Sequence, residues 1–121
     1  MTENALDSLR NVTKIVVDSS DFKSIARFNS IDATTNPSLL IKSISDVEYK
    51  GFIKQVSSKY FNLCSKDIAL ELVISFAEEI LKVITGRVSI EVDPAVAFNT
   101  KRTELESLKI IESCVARDIP L

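Results

Sequence analysis

The sequence predicts an α/β fold in which short parallel strands alternate with helices. Three runs rich in β-branched residues, 14–17, 31–35 and 88–92, have the character of strands, and helical patterns separate them. Strands that alternate with helices pair in parallel through right-handed crossovers. With 121 residues, 45% of them hydrophobic and 26% charged, the chain is long enough for one globular core and too short for two.

Periodicity and capping signals place the elements along the chain. The N-terminal helix has Ala5, Leu6, Leu9 and Val12 on one face. Gly86 stands where a helix-ending residue in the left-handed conformation is expected. In order, we predict strands over residues 14–17, 31–35 and 88–92, and helices over residues 2–12, 21–29, 38–43, 47–61, 66–84 and 100–116.

The two longest predicted helices each carry an apolar side. The helix over residues 66–84 carries a wide apolar stripe, so we expect it to pack broadly against the sheet. The last helix is expected to begin with Thr100 as its cap. Its predicted buried side consists of Leu105, Leu108, Ile110, Ile111 and Val115.

The segment DATTNPSLL, residues 32–40, predicts a strand that ends where a helix starts. Two threonines lead into Asn36 and Pro37, and Ser38 opens an apolar run. Proline has a fixed φ and no N–H, which suits the first helical position, and asparagine suits the N-cap before it. The amide of Asn36 is therefore predicted at the carboxyl end of a strand, where ligands bind in parallel α/β folds.

Charge and hydropathy exclude several classes of partner. The net charge is −2 and the basic residues are scattered, so nucleic acid is not an expected partner. Every apolar run is interrupted by charge well short of the ~20 residues that span a bilayer. The N-terminus carries Glu3 and Asp7 before any basic residue, which is unlike a secretory signal. We therefore expect a cytoplasmic protein that does not enter membranes.

The residue types present limit the possible chemistry. Histidine is absent, which excludes imidazole triads and HExxH metal sites. Cys64 and Cys114 are far apart and lack metal-binding spacing, so both are predicted to be buried thiols. Gly51 and Gly86 alone cannot form a glycine-rich phosphate loop. We expect no metal and no organic cofactor, and chemistry that uses carboxylates, amides, amines and hydroxyls.

Three polar residues fall at or near the ends of the three predicted strands: Asp18, Asn36 and Glu91. Each alone has an ordinary explanation, as a helix cap for the first two and as a solvated or ion-paired charge for the third. Together they would surround one mouth of a barrel of parallel strands. Two acids and an amide suit carbonyl chemistry on a polyhydroxylated substrate.

At these residues the sequence resembles the amino-terminal part of transaldolase. The family typically reads VADTGDF, DATTNPSLI and a glycine–arginine pair followed by STEVDARLSFDT, where this chain has VVDSSDF, DATTNPSLL and GRVSIEVDPAVAFNT. The resemblance implies a (β/α)8 TIM barrel, of which residues 1–121 would form a single partial domain. It also implies transfer of a dihydroxyacetone unit between ketose and aldose phosphates, such as sedoheptulose 7-phosphate and glyceraldehyde 3-phosphate, in the pentose phosphate pathway.

The resemblance assigns roles to three residues, and Thr34 is predicted as a fourth residue of the site. Asp18 matches the aspartate that moves a proton as the carbon–carbon bond breaks or forms, and Glu91 matches the glutamate that assists Schiff-base formation through a water. Asn36 matches the asparagine that hydrogen-bonds the dihydroxyacetone unit, and Thr34 of the same motif is assigned to substrate binding.

The Schiff-base lysine of the family lies on a fourth strand, which the resemblance places beyond this sequence. None of the lysines present is placed to replace it, so we expect this chain to be inactive alone. Ile90, Pro94, Ala95 and Ala97 replace a usual threonine, alanine, arginine and serine, which weakens polar support for the third-strand site.

The alternative to an enzyme segment is a non-catalytic module that binds sugar phosphates or docks on a partner. A different lysine-dependent aldolase fits the DATTNPSL motif less well. Three strands of eight leave two open sheet edges, so we expect either a homo-oligomer or association with a missing C-terminal half.

Overall fold

The structure is a computed structural model that describes residues 4–120. The strands are β1 (Val16–Asp18), β2 (Asp32–Thr34) and β3 (Val88–Ser89). The helices are α1 (Ala5–Arg10), α2 (Phe22–Ile25), α3 (Pro37–Ser45), α4 (Lys50–Lys59), α5 (Ser65–Leu81) and α6 (Thr100–Ala116), and short 3-10 turns occupy Ala26–Phe28, Val47–Tyr49 and Pro94–Val96. No helix in this part of the chain combines the length and the apolar character needed to cross a bilayer.

The three strands form one parallel sheet in the order β1-β2-β3, which confirms the predicted parallel pairing. Asp18 lies opposite Thr34, and Thr34 lies opposite Ser89. All three strands are shorter than predicted, and within residues 4–120 the outer edges of β1 and β3 have no strand partner. A small parallel sheet flanked by helices is consistent with part of a barrel.

The predicted third strand over residues 88–92 is wrong at its carboxyl end. The last ladder bond joins the Thr35 N–H to the Ser89 carbonyl (3.2 Å). Beyond Thr35, the segment that follows β2 enters α3. Within residues 4–120, β3 therefore has no strand partner beyond Ser89, and an extended segment without ladder bonds is not held as a strand. Glu91 lies two residues past the strand and is exposed.

Two apolar clusters hold the sheet against its helices. The first joins Ala33 of β2 to Ile25, Ile80 and Ile84, and it covers one face of the sheet. The second contains Leu40, Tyr49 and Phe76, each at most 4% exposed. Phe22 packs against both clusters, so the first residue of α2 connects the sheet-facing core to the core between the helices.

The predicted burial of the last helix is wrong. α6 buries Cys114, whereas the predicted core positions Leu105, Leu108, Ile111 and Val115 are 42–59% exposed and Ile110 is half-buried. The helix contacts α5 and the 3-10 turn before it with its opposite side. Periodicity identifies an apolar stripe but not the surface that covers it.

Both terminal helices also differ in their ends. The cap of α6 is Asn99, whose Oδ1 accepts from the Arg102 N–H (3.0 Å), so Thr100 is the first helical residue rather than the cap. α1 is shorter than predicted and has no buried residue; Leu9 is half-exposed and Val12 is 81% exposed. The beginning of the predicted helix, at residues 2–3, lies outside the described residues.

The two cysteines have different environments. Cys114 is buried as predicted, and burial raises the pKa of its thiol. Cys64 is exposed, which contradicts the prediction, because it occupies the N-cap position of α5 at the surface. Its thiol donates to Asp67 Oδ2 (3.1 Å).

Gly86 is required for a close approach rather than for a left-handed turn. Its φ is not positive, and α5 already ends at Leu81. The Gly86 N–H donates to the Ile31 carbonyl (2.8 Å), and the next N–H, of Arg87, donates to Asp32 Oδ1 (2.8 Å). A Cβ at Gly86 would lie 2.8 Å from the Ile31 oxygen and would collide with Asp32 Oδ1.

Gly86→Ala is expected to destabilise the protein by about 1–3 kcal/mol, because Asp32 must move away from Arg87 to admit a methyl group. Gly51→Ala is the control: Gly51 lies in α4 with nothing within 4 Å of an added Cβ, so alanine should stabilise by up to about 1 kcal/mol. Urea unfolding measures both. Equal effects of the two substitutions would contradict the close approach.

Arg117, directly after α6, makes hydrogen bonds to α5 and to the C-terminal end of α4. Its Nη1 donates to Ser75 Oγ (3.1 Å) and Glu78 Oε2 (2.8 Å), and its Nη2 donates to Tyr60 Oη (2.8 Å) and to Glu71 Oε2. The Arg117 side chain is 14% exposed. A guanidinium group this buried is tolerated when its donors are paired, and its loss would leave the Glu71 and Glu78 carboxylates without their cationic partner.

Arg117→Met is expected to destabilise the protein by about 3–5 kcal/mol, the range for breaking a buried ion pair. Arg102→Met is the matched control, because Arg102 is exposed and its Nη2 lies 4.0 Å from Glu106 Oε1. This substitution should change the free energy of unfolding by less than about 0.5 kcal/mol. The midpoints of urea denaturation give the comparison. A loss no larger than that of the control would show that the Arg117 cluster does not hold the helices together.

Candidate functional site

Asp18 and Thr34 lie side by side at the carboxyl ends of β1 and β2. Val17 and Ala33, the residues before them, belong to the covered face of the sheet. Side chains alternate along a strand, so Asp18 and Thr34 project from the open face. Thr34 Oγ1 donates a hydrogen bond to Asp18 Oδ1 (2.9 Å). The structure therefore brings together two of the four residues predicted for the site.

Asn36 follows β2 by two residues and caps α3, as predicted. Its Oδ1 accepts from the Leu39 N–H (3.0 Å), and Pro37 is the first helical residue. An asparagine amide has one oxygen and one NH2 group. The capping bond uses one lone pair of the oxygen, and the nitrogen has no partner in residues 4–120. Asn36 can therefore offer the two N–H donors of its amide to a ligand.

Buried serines connect the segments that carry Asp18 and Asn36. Ser20, two residues after Asp18, is 2% exposed. Its Oγ donates to the Leu39 carbonyl (2.7 Å) and lies 2.7 Å from Ser43 Oγ. The loop after β1 is thus hydrogen-bonded to α3, which limits the movement of Asp18 relative to Asn36.

Asp21 fixes the other side of the same loop. It caps α2 by accepting from the Ser24 N–H (3.0 Å), and the buried Tyr49 donates to it. Burial acts to raise the pKa of Asp21, but the hydrogen bonds from Ser24 and Tyr49 outweigh it and keep this pKa below the ordinary value. Burial, and then the bond to Asp21, raise the pKa of Tyr49. An ionised Asp21 therefore accepts from a neutral tyrosine near pH 7.

Ser89 is a residue of the open face that the sequence analysis missed. The register sets it opposite Thr34 on β3, so Asp18, Thr34 and Ser89 form one row across the three strands. Its side chain is exposed and has no hydrogen-bond partner in the part of the chain that the structure describes. Only the strand register could have identified it, because a serine before Ile90 carries no local signal.

Glu91 is not joined to the other predicted site residues. It lies beyond the end of β3, is exposed, and makes no hydrogen bond or ion pair within residues 4–120. The open face thus carries an acceptor at Asp18 and hydroxyls at Thr34 and Ser89, and the Asn36 donors follow two residues after the end of β2. No group of three metal-ligating side chains occurs in the described residues. A ligand that suits this arrangement carries several hydroxyl or carbonyl oxygens.

A comparison with protein-family models identifies one match that spans most of the chain. The model described as transaldolase/fructose-6-phosphate aldolase matches residues 15–119. The matched region begins just before β1 and ends after α6, and it therefore contains all four predicted site residues and Ser89.

Proposed function

Because the chain belongs to the transaldolase/fructose-6-phosphate aldolase family, we propose that residues 15–119 supply part of a site that binds a ketose phosphate and handles its dihydroxyacetone unit. The observation that carries the proposal is the grouping of Asp18 and Thr34, with the Asn36 amide donor two residues further along the chain. Hydrogen-bond acceptors and donors at one sheet edge suit a hydroxyketone, which has both kinds of group.

The proposed chemistry is cleavage and formation of a carbon–carbon bond next to a carbonyl. Condensing the carbonyl with a lysine amine gives a cationic electron sink that stabilises the carbanion. In this scheme Asp18 takes a proton from, or returns it to, the donor hydroxyl, and Asn36 holds the three-carbon unit until the acceptor arrives. Glu91 assists formation of the Schiff base through a water. Sedoheptulose 7-phosphate and glyceraldehyde 3-phosphate are the proposed substrates, in the pentose phosphate pathway.

We propose that the sheet is part of a (β/α)8 barrel. The unpaired edges of β1 and β3 and the exposed apolar side of α6 are surfaces on which further strands and helices, or a second copy of the chain, would pack. The third-strand segment that carries Glu91 would then gain the strand partner that it lacks beyond Ser89.

The required amine is proposed to come from outside the three described strands. Each of the ten lysines lies in a helix, at a helix end or ahead of β1. A lysine amine in water is almost wholly protonated near pH 7, and burial in a closed site is one way to make it neutral. The present residues thus supply the proton-transfer and binding groups without the nucleophile.

Fructose 6-phosphate is expected to shift the backbone amide NMR signals around Asp18, Thr34 and Asn36, because its hydroxyketone end is proposed to bind at this edge of the sheet. Asn36→Asp keeps an acceptor for the Leu39 N–H but loses the NH2 donor, so it should weaken binding roughly tenfold without unfolding α3.

Asn99→Asp is the matched control, since it makes the same change at the cap of α6, away from the sheet edge, and it should leave the affinity unchanged. Glucose 6-phosphate, an aldose of the same charge, should cause smaller shifts. Equal responses to the two sugars, or no response in this region, would contradict the proposal.

The 121-residue chain is expected to form no Schiff base with fructose 6-phosphate. Treatment with the sugar and then borohydride should leave its mass unchanged, because no lysine lies on the strands that carry the site residues. A sample reduced without sugar is the control. A dihydroxyacetone-sized adduct on one lysine, lost in Asp18→Ala, would show that the chain carries its own nucleophile.

A further inference from the structure

We infer that Thr34 is a positioning residue, which holds the Asp18 carboxylate for the substrate, rather than a residue that contacts the substrate. This inference rests on the proposed function and replaces the substrate-binding role predicted for Thr34. It follows from the direction of one hydrogen bond and from the register of the first two strands.

A threonine hydroxyl has a single proton to donate. At Thr34 this proton is used, because an ionised carboxylate only accepts hydrogen bonds and Thr34 Oγ1 lies 2.9 Å from Asp18 Oδ1. Thr34 can therefore offer a ligand only its oxygen lone pairs. Of the two hydroxyls in the row, that of Ser89 donates to no other group within residues 4–120.

The bond determines which oxygen of Asp18 faces the substrate. Asp18 is exposed and makes no other side-chain hydrogen bond in residues 4–120, so its carboxylate is held by Thr34 alone. Thr34 is well suited to this task, since it is β-branched and restricted at χ1, and it lies directly opposite in the ladder. The second oxygen, Oδ2, is left to accept from a substrate hydroxyl.

The loop supports this arrangement from behind. Ser20 makes a hydrogen bond to α3, and Asp21 accepts hydrogen bonds from α2 and from Tyr49. The backbone on the carboxyl side of Asp18 is therefore anchored at two points. With the backbone fixed, rotations about χ1 and χ2 of Asp18 are the remaining freedom. The Thr34 hydroxyl is the group that removes it.

The first test needs no ligand. Three-bond couplings should report one dominant χ1 rotamer for Asp18 in the wild type and several in Thr34→Val, with the single rotamer restored in Thr34→Ser. Thr35→Val makes the same isosteric change one residue later, on the covered face, and Ser89→Ala removes the hydroxyl on the other side of Thr34. Both should leave Asp18 unchanged. A single Asp18 rotamer in folded Thr34→Val would overturn the inference.

The second test separates positioning from direct contact. Introduced alone, Thr34→Val should weaken fructose 6-phosphate binding roughly tenfold. Introduced into a chain that already carries Asp18→Ala, it should have no further effect on binding, because Thr34 acts through Asp18. Independent, additive losses would show that Thr34 touches the ligand itself and would overturn the inference. If the wild type does not respond to the sugar, the proposed function fails, whereas the Asp18 rotamers still decide whether Thr34 positions the carboxylate.

Discussion

The parallel pairing of β1 with β2 sets Asp18 opposite Thr34. The arrangement of side chains on the open face of the sheet depends on this register. The side-chain period of a strand is two, so a shift of one residue would turn Thr34 toward the helices and expose Ala33 or Thr35 instead. The burial of Ala33, at 1% exposure, opposes such a shift. Gly86 adds a second restraint, because its approach to Ile31 fixes the amino end of β2.

The packing that holds this register also positions the loop at the opposite end of the strands. Phe22 starts α2 directly after Asp21, and its ring packs edge-on against Tyr49 and Phe52, at centroid distances of 5.0 and 5.6 Å. Tyr49 in turn donates to Asp21. One aromatic cluster thus supports both the core between the helices and the segment that follows Asp18. Aromatic pairs of this kind stabilise beyond the area they bury.

Features set by local chemistry could be predicted from the sequence. The cap at Asn36 and Pro37 needs only neighbouring residues, and the alternation of elements predicts parallel strands. Features that depend on a residue distant in the sequence could not be predicted. β3 ends at Ser89 because β2 turns away there, and Gly86 is needed because Asp32 approaches it from 54 positions earlier in the chain. The direction of the Thr34 bond likewise depends on which residue the register sets beside it.

The exposed stripe of α6 shows the same limit for packing. Its period indicates a helix with one apolar side, and the structure contains that helix, yet among residues 4–120 nothing covers the stripe. The proposed site has a comparable dependence, since its acceptor lies on β1 and its donors lie at the cap of α3, while the proposal takes its amine from another segment. The grouping of polar residues at the sheet edge is therefore the part of the proposed mechanism that the described residues carry.

That grouping can be tested most directly by the strand register in solution. The Ser19 N–H donates to the Thr34 carbonyl (3.0 Å), and the Ile31 N–H donates to the Ile15 carbonyl (3.0 Å). Through-hydrogen-bond NMR couplings should join these two pairs of residues. Couplings from Ser19 to Ala33 or Thr35 would mean a register shifted by one residue, which would separate Thr34 from Asp18 and contradict the proposed site.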